Sequence, residues 1–449
     1  MNLDDLKTQT SEGLRHPAFY RSPRNKRNLP RRERKTMTCG KISRWLAVSA
    51  LSLACFCASA LPRDLAPPTN CNQPAAHPTT SVNLPGHPFD VITTSDGCWI
   101  FVSILRSMPN RVSESGVAVL RRSEGKVKLT HFAPFGPGPA GMALTHDGNL
   151  LIVADGDDVI FLDPARLISG KGEPGLGVLT DGKFSASVFP SVTADDRTLF
   201  VSDERAKTVT VIDLEKARHS GFAPDSIIGK IPVGAAPVSL AFSHDQRYLF
   251  VTSEASPPNL RWPAVCAPET PSHRLGSTED AEGAVQVVDV AKARTEPAGA
   301  VVSTVPAGCS PVRVAVSPDG EVVYATARGS NSLLAFNAAK LVSDPEHARI
   351  EMVPVGPAPV GLAVAEGGSK VVVTNSNRFA GFKHAQYLTV VDAARISEGQ
   401  AAALGTIPAG VFPRDICVSA DGRTIFVTNF LSDTLMLLDL DRIPLKQIQ

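Results

Sequence analysis

The stretch "DGRTIFVTNFLSDTLMLLDLD" occupies Asp421–Asp441. The turn pair Asp421-Gly422 opens it, and an apolar run with strand composition follows, ending in Val427-Thr428-Asn429. Ser432-Asp433 breaks the pattern, and a second apolar run ends at Asp439. Nearly the same text recurs along the chain. Aligned on a Pro eight residues before an Asp or Gly, the copies pair Pro88 with Asp96, Pro139 with Asp147, Pro237 with Asp245, Pro311 with Asp319, Pro359 with Gly367 and Pro413 with Asp421. A seventh copy has Ser187 and Asp195 at these places. Starts lie mostly about 50 residues apart, with one interval of 74, a period that signals repeat architecture.

Each copy shares one grammar. A short apolar run follows the Pro, as in "VRVAVS" (Val312–Ser317), and leads to a turn such as "PDG" (Pro318–Gly320). Pro presets φ at such a turn, and Gly accepts the positive φ that closes it. A second strand ("TLFVSD", "YLFVTS", "TIFVTN"), a variable loop, a third strand ending in Asp ("VTVIDL", "LTVVDA") and a fourth ("IPVG", "VPAG") complete the unit. Four short antiparallel strands repeated seven times predict an all-β chain folded as a seven-bladed β-propeller. One four-stranded sheet that is apolar on both faces cannot cover itself; stacking the sheets around a closed circle buries both faces. The last repeat stops after its third strand, and "SVNLPG" (Ser81–Gly86) precedes the first Pro as an orphan fourth strand. It is expected to complete the seventh blade and close the ring.

The repeat resembles the YVTN-type β-propeller repeat, carried most directly by "IFVTN" (Ile425–Asn429) and "VVVTN" (Val371–Asn375), over about residues 84–445. The second and fifth copies depart from it with "IVADG" and "YATAR", and the third lacks its Pro. The resemblance implies kinship with bacterial secreted and surface proteins and with seven-bladed lactonases, which hydrolyse sugar lactones. A scaffold does not supply a reaction, because function sits in the site.

The N-terminus reads as a targeting segment. Lys41 and Arg44 precede the apolar run Trp45–Ala60, and Ala58-Ser59-Ala60 fits a signal-peptidase site. The run is short for a membrane span, so membrane association is expected only through an uncleaved signal. Residues 1–60 are thus assigned to an extension plus signal peptide, with Met37 a candidate true start. Residues 61–80 are assigned to a flexible Pro/Thr/Ala-rich segment, and 81–449 to the propeller. Export to the periplasm, the cell surface or the medium follows as an expectation. Residues 1–60 hold 12 Lys and Arg against 4 Asp and Glu, leaving 33 against 40 in the rest. A mildly acidic body is a poor partner for nucleic acid.

In a propeller the first strands line the channel, and the loops joining second to third strands share a face with the approach to strand one. The longest insertions fall in those loops: Leu105–Ser115, Glu254–Glu282 and Asn377–Gln386. They carry Arg106, Trp262, Arg378 and His384, with Arg328 on the same rim, while the channel mouth adds Arg313 and Arg414. Guanidiniums among aromatics suit a carboxylate or phosphate. Asp90 and Asp415 both stand two residues after the Pro, in blades that closure would make neighbours. With His87 they are the candidate catalytic groups, able to share a proton or act as acid and base. The competing expectation is that most of these Arg pair with nearby carboxylates and that each Asp accepts backbone N–H bonds. Ten scattered His show no metal-ligand spacing, and no cofactor motif appears. Cys266 and Cys309 would meet on the mouth face of adjacent blades, Cys71 and Cys98 on the other face, and Cys417 would be a buried thiol. The expected role is a monomeric exported scaffold binding a small anion, glycan or protein at the mouth, with no cofactor. Alternatives are a lactonase-like hydrolase and a structural envelope protein.

Overall fold

A computed structural model describes residues 71, 73–75, 77–105, 114–260, 262, 266, 281–379 and 386–447, all within the unit Pro67–Gln449. Seven four-stranded antiparallel sheets form there, six of them from consecutive strands. The seventh sheet is the exception. Its inner strands are Pro413–Val418, Thr424–Asn429 and Thr434–Asp439, and its outer strand is Thr79–Asn83 from the other end of the chain. The latch pairs Thr79 with Leu438 through to Asn83 with Thr434. This is the expected ring closure, shifted two residues toward the N-terminus. Among the described residues no helix is long and apolar enough to cross a membrane.

The repeated tetrapeptide at the end of each second strand explains how blades attach. Its first position is aromatic in five blades, as Phe101, Phe200, Phe250, Tyr324 and Phe426, each at most 1% exposed. Each ring packs among residues of the following blade: Phe200 with Leu249 and Val251, Phe250 with Val314 and Val323, Phe426 with Val91 and Ile100. The next residue points the opposite way, so that Val251 meets Phe200 of the preceding blade. Strand side chains alternate between faces, so one dipeptide anchors both neighbours. Burying one such ring is worth about 2–3 kcal/mol.

The hydroxyl of the tetrapeptide then ties the ladder across blades. The first strands are bulged just after the Pro, between Pro311 and Arg313 for example. The bulge frees a backbone N–H, which must find an acceptor when buried. Thr326 Oγ1 accepts it from Arg313 (3.1 Å) and donates to the Val360 carbonyl of the next blade (2.9 Å). Ser103, Ser202 and Thr252 do the same, linking to Ala140, Val238 and Val312. Blade two has Ala154 at this position, and there Gly141 N–H donates directly to the Val188 carbonyl (2.7 Å).

The Asp ending the third strand has a use that the repeat grammar did not assign. Asp163, Asp213 and Asp289 cap the short helices Pro164–Ser169, Leu214–Ser220 and Val290–Ala293, and Asn337 caps Ala338–Ser343. Their side chains accept N–H bonds at the helix start. These helices lie between third and fourth strands and were not expected from the sequence.

Closure is reinforced at the blade one–blade seven seam. Arg122 of blade one is 1% exposed. It donates to Ser419 Oγ (2.5 Å), Asp421 Oδ2 (2.8 Å) and Thr424 Oγ1 (2.9 Å) of blade seven, and to the Gln73 carbonyl ahead of the latch (3.0 Å). A Cys71–Cys98 disulfide joins the same pre-latch segment to blade one. Cys266 and Cys309 form a second disulfide, and Cys417 is free. Cys417 is half-buried, and burial pushes its thiol pKa up to about 12.

Replacing Thr326 by Val should cost about 2–4 kcal/mol in chemical denaturation, because the Arg313 N–H and Val360 carbonyl both lose their partner. Thr326→Ser should cost well under half of that. A larger loss in Thr326→Ser than in Thr326→Val would show that the methyl, not the hydroxyl, carries the contribution.

Candidate functional site

The mouth is the end of the channel where first strands begin and second strands finish. The residue after each Pro position forms its floor. Six blades place Phe89, Ala140, Val188, Val238, Val312 and Val360 there, all buried in one cluster with Phe412 and Phe430. Blade seven places Arg414. Its guanidinium lies 3.7 Å from the Phe89 ring centroid and 5.5–5.7 Å from those of Phe430 and Phe412. Among the described residues, its buried Nε has no hydrogen-bond partner. Burial, with the neighbouring Arg378 and Arg313, lowers its pKa to about 9, so it stays charged at neutral pH. A cation held this way leaves a local positive potential that an anion would satisfy.

One position further along stand Asp90, Arg313 and Asp415. Arg313 is stacked 4.0 Å from the Phe189 centroid and pairs with Asp415 at 3.0 Å; both side chains are under 10% exposed. Asp90 and Asp415 are neighbours across the closure seam, near enough for one carboxyl to act on the other. Burial first, then Asp415, hold the Asp90 carboxyl well above the usual carboxylate range. The shift favours the protonated form of Asp90. It also accepts N–H bonds from Val91 (2.7 Å) and Met142 (2.6 Å). A carboxyl shifted in this direction suits an acid role better than that of a general base.

The other candidates fall out as follows. His87 Nδ1 bonds Asp433 Oδ1 at 2.6 Å, and its ring stacks on Phe430 at 4.8 Å between centroids. It is built into the seam between blades one and seven. Arg328 pairs with Glu254 at 2.9 Å. Arg378 lies over the Phe412 and Phe379 rings at 5.3 and 5.4 Å. Trp262 is half-buried within the blade-four insertion. Arg106 and His384 lie outside the described residues. An open cleft of about 280 Å³ lined by Asn331, Pro357, Ala358, Asn377 and Phe379 lies beside the mouth between blades five and six. It carries none of the charged candidates. Among the described residues, no group of three His, Cys, Asp or Glu could hold a metal ion.

Three features escaped sequence reasoning. Glu204 follows the second strand of blade three and faces the same channel: its carboxyl is raised by burial and by Glu254, and is lowered by Arg328, Arg414 and Arg378. Water reaches the residue, which is exposed, while protein charges surround it. Lys230 bridges the fully buried Asp181 (2.8 Å) and Asp203 (3.0 Å) at the blade two–three seam. Burial and the Asp181 carboxylate push Asp203 up to about 7. Asp155 fills the Asn position of the deviant "IVADG" copy. Its Oδ1 accepts from Gly138 N–H (2.8 Å), and its buried Oδ2 has no partner among the described residues. Gly136, at φ 63°, passes so close that a Cβ there would come within 1.7 Å of Oδ2. Alignment of the second-strand ends would have exposed Glu204 beside Glu254 and Arg328.

The family described as Lactonase, 7-bladed beta-propeller matches residues 189–379. That match and the seven-sheet ring together support the likeness of this chain to lactonase-like, YVTN-type propellers. No curated protein matches the chain. Similar solved structures include the hydrazine synthase of Kuenenia stuttgartiensis, with TM-score 0.58 and 16% identity over 80% of this chain and 97% of that one. A chain of a mitotic checkpoint complex matches with TM-score 0.57 and 16% identity over 88% and 98%. A functionally unknown protein from Desulfotomaculum acetoxidans DSM 771 matches with TM-score 0.51 and 12% identity over 74% and 89%. At such identities the likeness speaks for the fold alone.

Burial raises the Asp155 pKa to about 6. A raised carboxyl contributes stability at low pH that is lost as pH climbs from about 4 through about 6. Asp155→Asn keeps the acceptor for Gly138 and removes that loss. It should exceed the wild type in unfolding free energy by about 3 kcal/mol at pH 8, and the gap should close toward pH 4. A gap independent of pH would contradict the assignment.

Proposed function

We propose that the mouth binds a small organic anion, with Arg414 as the principal anchor and Arg378 and Arg313 adding positive potential. The observation that carries this reading is the buried, unpartnered Nε of Arg414 on an otherwise apolar and aromatic floor. The arrangement offers a charge-assisted hydrogen bond beside a surface for an apolar or ring-shaped body. Export of the protein belongs to the same proposal. The signal-like segment and two disulfides support it, and a mature N-terminus at Leu61 is the expected result of sequencing the recovered protein.

The family match and the Asp90–Asp415 pair favour a second reading, lactone hydrolysis. There an Arg would polarise the carbonyl and a carboxylate would activate water. Binding is the better-supported reading, because burial and Asp415 raise the Asp90 carboxyl, against a base role, and Asp415 is engaged by Arg313.

Calorimetric titration with lactones and their ring-opened acids separates the readings. The binding account expects saturable uptake of the acids without turnover, and a ten- to hundredfold weaker affinity in Arg414→Met, the size of one charged hydrogen bond. Arg414→Lys should recover part of it, and denaturation of both variants checks that the fold persists. Lactone turnover that vanishes in both Arg378→Ala and Asp415→Ala would instead establish a hydrolase. Neither binding nor turnover would leave a structural envelope role.

A further inference from the structure

The residue two places after the ladder-linking Ser or Thr of each blade (Ala154 in blade two) occupies one ring around the mouth. In chain order these positions are Leu105, Gly156, Glu204, Glu254, Arg328, Ser376 and Phe430. Acid is confined to blades three and four. The guanidiniums of Arg378 and Arg414 belong to blades six and seven, the far side of a seven-membered ring from blade three. Glu254 is neutralised by Arg328 at 2.9 Å. Glu204 is not: among the described residues its side chain makes no ion pair or hydrogen bond, although Arg414 and Arg378 act on it electrostatically across the mouth. Its backbone is fixed, with Glu204 N–H donating to the Ala186 carbonyl at 2.9 Å. Between the two charged sides lies the floor of Val188, Val238, Val312 and Val360.

We propose that the occupant of this mouth is a zwitterion, its anionic group on Arg414, its ammonium on Glu204 and an apolar spacer across the valine floor. This rests on the anion-binding reading above and adds a second pole to it. A carboxylate alone would satisfy Arg414 but leave Glu204 facing its own like-charged neighbour Glu254. An amine alone would do the reverse. A molecule carrying both charges satisfies both, and the fixed positions of the poles select its length. Compounds of this class are ω-amino carboxylates and short peptides bound by their termini.

The probes are a chain-length series of straight ω-amino carboxylates, with the matching n-alkanoates and n-alkylamines, titrated calorimetrically into the disulfide-intact protein. One chain length should bind at least ten times more tightly than its alkanoate, about 1.4 kcal/mol. Glu204→Gln, at an exposed position, should bring that compound to the alkanoate affinity and leave the alkanoate itself unchanged or slightly tighter. Alkanoates binding as tightly as their amino counterparts, or an ω-amino carboxylate affinity untouched by Glu204→Gln, would overturn the zwitterion and leave the anion site standing. Failure of every carboxylate, with amines binding or not, would overturn both. Raising ionic strength should weaken the zwitterion less than the alkanoate, because two opposite charges are screened together.

Discussion

Ring closure is the constraint on which everything else in this molecule depends. Six blades are made from local sequence, but the seventh exists only if Thr79–Asn83 returns to pair with Thr434–Asp439. Without that strand, blade seven would present the open edge of Leu435–Leu438, and the apolar faces of blades one and seven would meet water. The seam is accordingly heavily bonded: Arg122 reaches three side chains of blade seven and the pre-latch carbonyl of Gln73. A buried guanidinium with this many acceptors is costly to strand, since removing one partner of a buried pair loses about 3–5 kcal/mol. Asp421 is held below the usual carboxylate range: burial opposes its charge, and the Thr424 N–H and Arg122 outweigh it. Its contribution is therefore present at neutral pH and fades only as acid titrates below the ordinary carboxylate pKa.

Closure also creates the mouth. Phe89 and Asp90 come from the first blade, Arg414 and Asp415 from the last, some three hundred residues later in the chain. Only in the closed ring does the Arg414 guanidinium find the Phe89 face and Asp90 find Asp415. The site is thus a set of exceptions written into a repeat. Where six blades supply a small or apolar floor residue, the seventh supplies a cation. Where most blades end their second strand in a neutral residue, blades three and four supply acid and blade five supplies base. Symmetry-related positions in a propeller all point at one axis, so a few substitutions suffice to build a polarised cavity from an indifferent scaffold.

The fold was legible because burial dictates it locally. An aromatic, an aliphatic and a hydroxyl residue in succession serve the following blade, the preceding blade and the ladder between them, so the pattern had to recur wherever a blade recurs. The latch was legible as a missing fourth strand. The capped helices were not, because an Asp ending a strand reads equally well as a turn. Arg122 was not, because one of two adjacent Arg near the end of a third strand looks solvated until the seam is closed around it. In the site, the positions of Asp90, Asp415, Arg313 and Arg414 could be read from their offset to Pro. Their states could not: the raised carboxyl of Asp90 and the pairing of Arg313 follow from neighbours across blades. Glu204 was missed because it resembles an ordinary loop acid, and only its ring position shows that it faces Arg414.

Amide hydrogen exchange on a variant beginning at Leu84, compared with the full chain, tests the closure claim most directly. The account predicts that Leu435–Leu438 and the first strand of blade one, His87–Thr93, lose protection together, while the second and third strands of blades three to five keep theirs. Unchanged protection of Leu435–Leu438 in the shortened chain would mean that the latch does not hold the ring, and the mouth would lose its physical basis.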